Sequence, residues 1–155
     1  MVVTGHDWAD TLLACGIVAA ALRLAWVDAR RLEIELETLW IMAGLAVLQV
    51  LRTGDGFDLF IRTFSAIAFW ACLVLGNRHL RGLARFGAGD PPLVGVIAFL
   101  VAPFLVFWAI LAAILALGTC AWYSIRRGKR LFRSMYPAAP PLLAAGMAIY
   151  LAHRM

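Results

Sequence analysis

Charged residues are scarce in this chain of 155 residues, of which 15% are charged and 64% are hydrophobic. The mean hydropathy is +0.88, whereas a soluble domain is about half apolar and about one quarter charged. So few charges cannot cover a soluble core of this composition. The sequence therefore predicts an all-α, polytopic membrane protein, with a single membrane domain over residues 1–155 and lipids as its surroundings.

Residue patterns that bind metals or form catalytic triads are also missing. Cys15, Cys72 and Cys120 stand alone, and no Cys-x-x-Cys pair indicates a zinc site or a disulfide framework. No two of the three histidines have the spacing of metal ligands, and no Ser-His-Asp arrangement is supported. We predict neither a metal nor a cofactor.

Six apolar segments follow one another along the chain, and each predicts a transmembrane helix. They cover about residues 9–27, 37–52, 57–76, 91–102, 103–125 and 138–153. The stretch from Pro91 to Ile125 contains no charge and is too long for one crossing, which needs about 20 residues. Pro103 predicts a break there, because proline interrupts a helix. One long tilted helix is the alternative, which gives five spans and moves the carboxyl terminus across the membrane.

The basic residues predict how these spans are oriented. With six spans, ten of the 14 Lys and Arg residues fall on one face and three on the other. Because positive residues accumulate in cytoplasmic loops, the first face is expected inside and both termini outside. Topology therefore explains the net charge of +5 better than a nucleic-acid partner does. The amino terminus has no basic region, so the first segment is expected to remain as a helix rather than to be cleaved.

Two aspartates, Asp28 and Asp90, are predicted at this cytoplasmic face. Ionisable groups at membrane depth are costly and usually functional. Two carboxylates brought together are also the minimum that an aspartic protease needs, because like charges a few ångströms apart cannot both ionise. Each has a structural interpretation as well: Asp28 fits a charged loop that anchors two helices, and Asp90 followed by Pro91 fits an ordinary helix start.

Three motifs, taken together, resemble those of the prepilin peptidases, or type IV leader peptidases, a family of six-span aspartic membrane proteases. The first family motif is Asp-x-x-x-x-x-Ile-Pro-Asn, matched by Asp28 and Ile34 together with the common Arg30, Arg31 and Glu33. The second is Gly-x-Gly-Asp-x-Lys-Leu, matched by Gly87, Gly89, Asp90 and Leu93. The third is Pro-Phe-Gly-Pro-Phe-Leu-Ala-x-Gly, matched by Pro137, Pro140, Leu143, Ala144 and Gly146 with one additional residue before Leu143.

The resemblance implies a fold of the GxGD aspartic protease type and an intramembrane aspartic endopeptidase. Such an enzyme would cleave the leader of a type IV pilin-like precursor, which has a short basic leader ahead of an apolar helix, at the cytoplasmic face of the bacterial inner membrane. Asp28 and Asp90 are the implied catalytic residues. The implied substrate-contacting residues are Gly87, Gly89, Glu33 and Ile34. The length resembles the short form of the family, which lacks the zinc-binding methylation module.

Departures from the family motifs keep other functions open. Glu35 and Leu36 stand where the family has Pro-Asn, and Pro92 stands where it has Lys. These losses favour a catalytically silent homologue that serves as an assembly or partner subunit of a larger membrane complex, whereas the retention of both aspartates favours an enzyme. An unrelated transporter or scaffold ranks last, because several spans are nearly bare of polar groups near their middle.

Overall fold

The computed structural model describes residues 5–53, 55–79, 89–127 and 137–153, and this part of the chain forms six α-helices and no strand. The helices are α1 (Gly5–Arg31), α2 (Leu36–Thr53), α3 (Gly56–His79), α4 (Asp90–Leu100), α5 (Leu105–Arg127) and α6 (Ala139–Ala152). The predicted all-α class and the six helices are confirmed. Each helix overlaps one of the six apolar segments, and α1 extends four residues beyond its segment, to Arg31.

Proline divides the long uncharged stretch into two helices rather than one tilted helix. α4 ends at Leu100, and a 3₁₀ turn over Ala102–Phe104 precedes α5. Pro103 lies inside this turn, where its missing N–H costs no helical hydrogen bond. The turn is closed by the N–H of Phe104, which donates to the carbonyl of Val101 at 2.7 Å.

Three helical segments are long and apolar enough to cross a membrane: Trp8–Arg31, Gly56–Gly76 and Ala102–Arg126. They also carry large apolar side chains on their outer surface, among them Trp26, Phe57, Phe60, Phe64, Phe107 and Ile114. Exposed apolar area of this extent is unusual for a soluble monomer and typical of a surface that faces lipid or a partner. α4 and α6 are apolar as well, but they are shorter.

α4 lies at the centre of the bundle, in contact with α2, α3 and α6. Nine of its 11 residues are buried. Gly95 permits the close approach of α3, since a Cβ there would lie 3.3 Å from the carbonyl oxygen of Ala66. α4 is therefore surrounded by protein, whereas the longer helices expose apolar surface.

α4 and α6 run in the same direction with their first residues level. Gly146 faces Ile97, whose Cγ2 would lie 2.6 Å from a Cβ on Gly146. Ile97 is seven residues after the start of α4, and Gly146 is seven residues after the start of α6. Beyond the other ends of these helices, the rings of Phe104 and His153 lie 5.0 Å apart. In both segments the second contact comes seven residues after the first, so the two helices run in the same direction.

α2 runs parallel to α4 and α6. Near its start, Ile34 contacts Gly89, the residue before α4. Near its end, Gln49 accepts a hydrogen bond of 2.6 Å from the hydroxyl of Tyr150, in the last turns of α6. Three helices thus begin at one end of the bundle, and their partly positive amino ends are gathered there.

Leu32 ends α1 in the left-handed conformation, with a φ of 57°. Its N–H donates to the carbonyl of Asp28 at 2.9 Å, so the last turn closes before the chain turns toward Ile34. A side chain costs roughly 1–2 kcal/mol in this conformation, and glycine does not carry that cost. We expect Leu32→Gly to be more stable than Leu32→Ala by about 1 kcal/mol in denaturant unfolding in detergent. Equal stability of the two variants would show that Leu32 is not strained.

Candidate active site

Asp28 is a buried residue in the last turn of α1, not part of a loop. Its carboxylate oxygen Oδ2 accepts a hydrogen bond of 2.7 Å from the backbone N–H of Ala139, the first residue of α6. The two residues are 111 positions apart in the sequence. The contact joins the first family-like motif to the third.

The start of α6 has no side-chain acceptor of its own for its N–H groups, and a carboxylate from α1 supplies one. The first four N–H groups of a helix have no partner inside the helix. Pro140 and Pro141 have no N–H, which leaves fewer such groups. The side chain of Ala138, at the N-cap position, has no atom that can accept a hydrogen bond from the others. Asp28 supplies an acceptor and places its carboxylate at the partly positive end of the helix. The third motif therefore holds Asp28 through its backbone.

Asp90 is the first residue of α4 and is also buried. Pro91 follows it in the first turn, and the N–H of Leu93 donates to the carbonyl of Gly89 at 3.2 Å. The helix starts here as the sequence allows, but the N-cap residue is Gly89 rather than Asp90 and no described side chain caps the helix, so helix capping does not explain the Asp90 carboxylate.

Gly89 joins the second motif to the first. A Cβ on Gly89 would lie 2.7 Å from the Cβ of Ile34, closer than real Cβ atoms approach one another. Only glycine therefore lets the segment between α1 and α2 lie directly against the start of α4. Gly87, the other glycine of this motif, lies outside the described residues.

The two aspartates are at the same end of the bundle. Asp28 bonds to the first residue of α6, and Asp90 is the first residue of α4. Because α4 and α6 are parallel with level starts, both carboxylates lie at the amino ends of these helices. The structure thus places two buried carboxylates at one end of the bundle, and carboxylates are groups that can serve in general acid–base catalysis.

Glu33 and Glu35 differ in what they can offer a substrate. Glu33 is exposed beside Ile34, which is half-buried. Glu35 accepts hydrogen bonds from Arg23, at 2.7 Å from Nε and 2.8 Å from Nη2, and from the hydroxyl of Thr38. Glu35 therefore ties α1 to the start of α2, a role that its residue type alone did not reveal.

The contacts of Glu35 predict an acid-sensitive contribution to stability. The hydrogen bonds from Arg23 and then Thr38 lower the pKa of Glu35 from 4.5 to about 2, against the opposing effect of desolvation. A lowered pKa in the folded state stabilises the fold above the unfolded pKa, and this stabilisation is lost as pH falls from 4.5 toward 2. We expect Glu35→Gln to flatten the pH dependence of the unfolding midpoint in this window. A slope equal to that of the unmodified protein would contradict this assignment.

Comparison with models of protein families, with curated proteins and with solved structures finds no significant match. The interpretation of the site therefore depends on its own geometry. Among the described residues, no group of three or more His, Cys, Asp or Glu side chains could hold a metal ion. The distinctive feature of the site is that three separate sequence segments meet at two buried aspartates.

Proposed function

We propose that this chain is an intramembrane aspartic endopeptidase of the prepilin peptidase type, with all six helices in the membrane and a GxGD-type active site. One observation carries the proposal: the three motifs that resemble the family are joined by direct contacts. Asp28 bonds to Ala139, and Ile34 lies against Gly89 beside Asp90. A resemblance that arose by chance would not require these segments to meet.

The proposed reaction uses Asp28 and Asp90 as a pair that shares one proton across a water molecule. The ionised carboxylate takes a proton from the water as the water attacks the peptide carbonyl carbon. The protonated carboxyl donates a hydrogen bond to the carbonyl oxygen and then a proton toward the leaving nitrogen. The pair still holds one proton at the end, now on the other carboxyl, and the peptide bond is replaced by an acid and an amine.

The proposed substrate is a pilin-like precursor with a basic leader ahead of an apolar helix. The distribution of basic residues favours a cytoplasmic position for the aspartate end of the bundle, in the bacterial inner membrane. Glu33 is exposed next to that end, where its charge would attract a basic leader. Ile34, Gly87 and Gly89 are the proposed contacts for the backbone around the cleaved bond.

Leader cleavage tests this proposal. The protein is co-expressed with pilin-like precursors from the same genome, and the loss of the leader is followed as a shift in size. We expect cleavage with the unmodified protein and none with Asp28→Asn or with Asp90→Asn, each present in the membrane at the normal level. Intact precursors in every case, or cleavage that survives both substitutions, would refute the protease.

A catalytically silent partner subunit is the second candidate, and one observation favours it. Asp28 completes the start of α6, so the fold alone could explain why this carboxylate is present. Pro92, in place of the family lysine, points in the same direction. Such a protein would keep its function in Asp28→Asn, because an asparagine oxygen can still accept the hydrogen bond from Ala139.

A further inference from the structure

A second polar site lies at the opposite end of the bundle from the two aspartates. It is a cavity of about 230 Å³ between the last turns of α2, α4 and α6 and the start of α3. Its polar lining consists of Gln49, Asp58, Arg62, Tyr150 and His153, and most of its other walls are apolar. The proposed protease reaction uses none of these residues.

Arg62 organises this cavity. Its Nε donates to Asp58 Oδ2 at 2.6 Å, and its Nη1 donates to the carbonyls of Phe99 and Leu100 at 3.1 and 2.9 Å. Its Nη2 makes no hydrogen bond with any residue in the described part of the chain. The guanidinium is therefore held in place by two of its nitrogens, while the third remains for an acceptor in the cavity.

The cavity attracts charges of both signs. The carboxyl ends of α2 and α6 carry partial negative charge, and the Asp58 carboxylate adds to it, so this side of the cavity favours a cation. Arg62 and the imidazole of His153 offer N–H donors to an anion. A simple anion would meet Asp58, and a simple cation would meet Arg62. A ligand that carries both charges satisfies both groups.

We infer that the cavity binds a zwitterionic group in which an ammonium and a phosphate are joined by a short linker, as in the headgroup of an ethanolamine phospholipid. The ammonium would lie near Asp58 and the helix carboxyl ends, and the phosphate near Arg62 Nη2 and His153. The cavity of about 230 Å³ corresponds to about eight water molecules at about 30 Å³ each, which suits a headgroup rather than a whole lipid. This inference does not depend on the protease proposal.

The thermal midpoint of the detergent-solubilised protein tests the site, with the fluorescence of the six tryptophans as the signal. Ethanolamine, choline and glycerol phospholipids are compared at equal concentration, together with soluble phosphoethanolamine. We expect the ethanolamine lipid to raise the midpoint by about 5–10 °C at 100 times its Kd. Choline lacks N–H donors and the glycerol lipid lacks the ammonium, so both should give much smaller shifts. Equal shifts with all three lipids would overturn the proposal.

Soluble phosphoethanolamine distinguishes a lipid headgroup from a soluble ligand that carries the same two charged groups. An equal shift with phosphoethanolamine alone would support the zwitterion site and assign it to a soluble ligand. No shift with it, alongside a full shift with the lipid, would support the lipid, because the apolar walls then contribute to binding.

Matched substitutions locate the effect. Asp58→Asn keeps an acceptor for Arg62 and removes the charge that the ammonium needs, so the preference for the ethanolamine lipid should disappear. Asp55→Asn is the control: it changes the same charge three residues away, and its side chain still caps α3 through the N–H of Phe57. His153→Ala, at an exposed position, should weaken the shift without unfolding the protein. Equal shifts in the Asp58 and Asp55 variants would refute this site.

Discussion

Replacing Gly89 with alanine is expected to lower the rate of the proposed leader cleavage by about 100-fold while the protein remains in the membrane. The new methyl carbon would lie 2.7 Å from the Cβ of Ile34. That atom is fixed to its backbone, so a rotamer change cannot relieve the clash, and the segment between α1 and α2 must move away from the start of α4. Overpacking of this kind costs about 1–3 kcal/mol. A displacement of about 1 Å at reacting groups can lower a rate by about 100-fold.

Two glycine controls separate this clash from the general effect of adding a methyl group to a helical protein. A Cβ on Gly44 or on Gly118 meets nothing within 4 Å. We expect both alanine variants to cleave normally and to be more stable by about 0.5–1 kcal/mol, because alanine favours the helix. The Gly89→Ala variant should regain part of its activity when Ile34→Gly removes the opposing Cβ. Normal cleavage by Gly89→Ala alone would mean that the Ile34 contact does not position the site.

Two substitutions of Asp28 are expected to separate its structural role from its proposed catalytic role. Asn provides an oxygen that can accept the N–H of Ala139, so Asp28→Asn should keep the free energy of unfolding close to normal. Ala leaves that buried N–H without a partner, which costs about 1–3 kcal/mol. Both variants should lose turnover by about 100-fold to 10,000-fold or more, because neither can exchange a proton in the reaction.

Cleavage rates and denaturant unfolding in detergent, measured on the same preparations, give both quantities. Asp90→Asn serves as the second active-site variant and should behave like Asp28→Asn in turnover. If Asp28→Asn instead cleaves normally, the carboxylate is needed only to complete α6. The silent-partner hypothesis then takes precedence, and the proteins that copurify with the unmodified chain become the next measurement.

The helices were predictable because their signals are local. Long uncharged stretches, charges between them and a proline at position 103 mark the helix boundaries. The end of α1 was less predictable. The aspartate and two arginines after the apolar segment suggested a loop, yet the helix continues to Arg31 because Asp28 is buried against α6. A contact across 111 residues overrides the local preference there.

The common position of Asp28 and Asp90 at one end of the bundle was predictable, but their contacts were not. The motifs identified Asp28 and Asp90, but nothing local indicated that Asp28 would accept from Ala139. Arg62 was not predicted to belong to any site and was used only as one of the basic residues that indicate topology. Its partners are Asp58 and two backbone carbonyls of α4. Contacts with backbone groups cannot be predicted from residue types, because every residue has the same backbone carbonyl. The cavity at the opposite end of the bundle from the aspartates therefore became visible only when the helices were assembled.

The short length of α4 has a consequence for how the protein is made. Its 11 residues extend about 16 Å, roughly half the hydrocarbon thickness of about 30 Å. Its last carbonyls are satisfied by Arg62, which belongs to α3. Released alone from the insertion machinery, α4 would leave these polar groups in lipid and would not be retained. In the proposed six-span arrangement we therefore expect α4 to be retained in the bilayer only when α3 is synthesised with it, whereas α3 is long and apolar enough to cross alone.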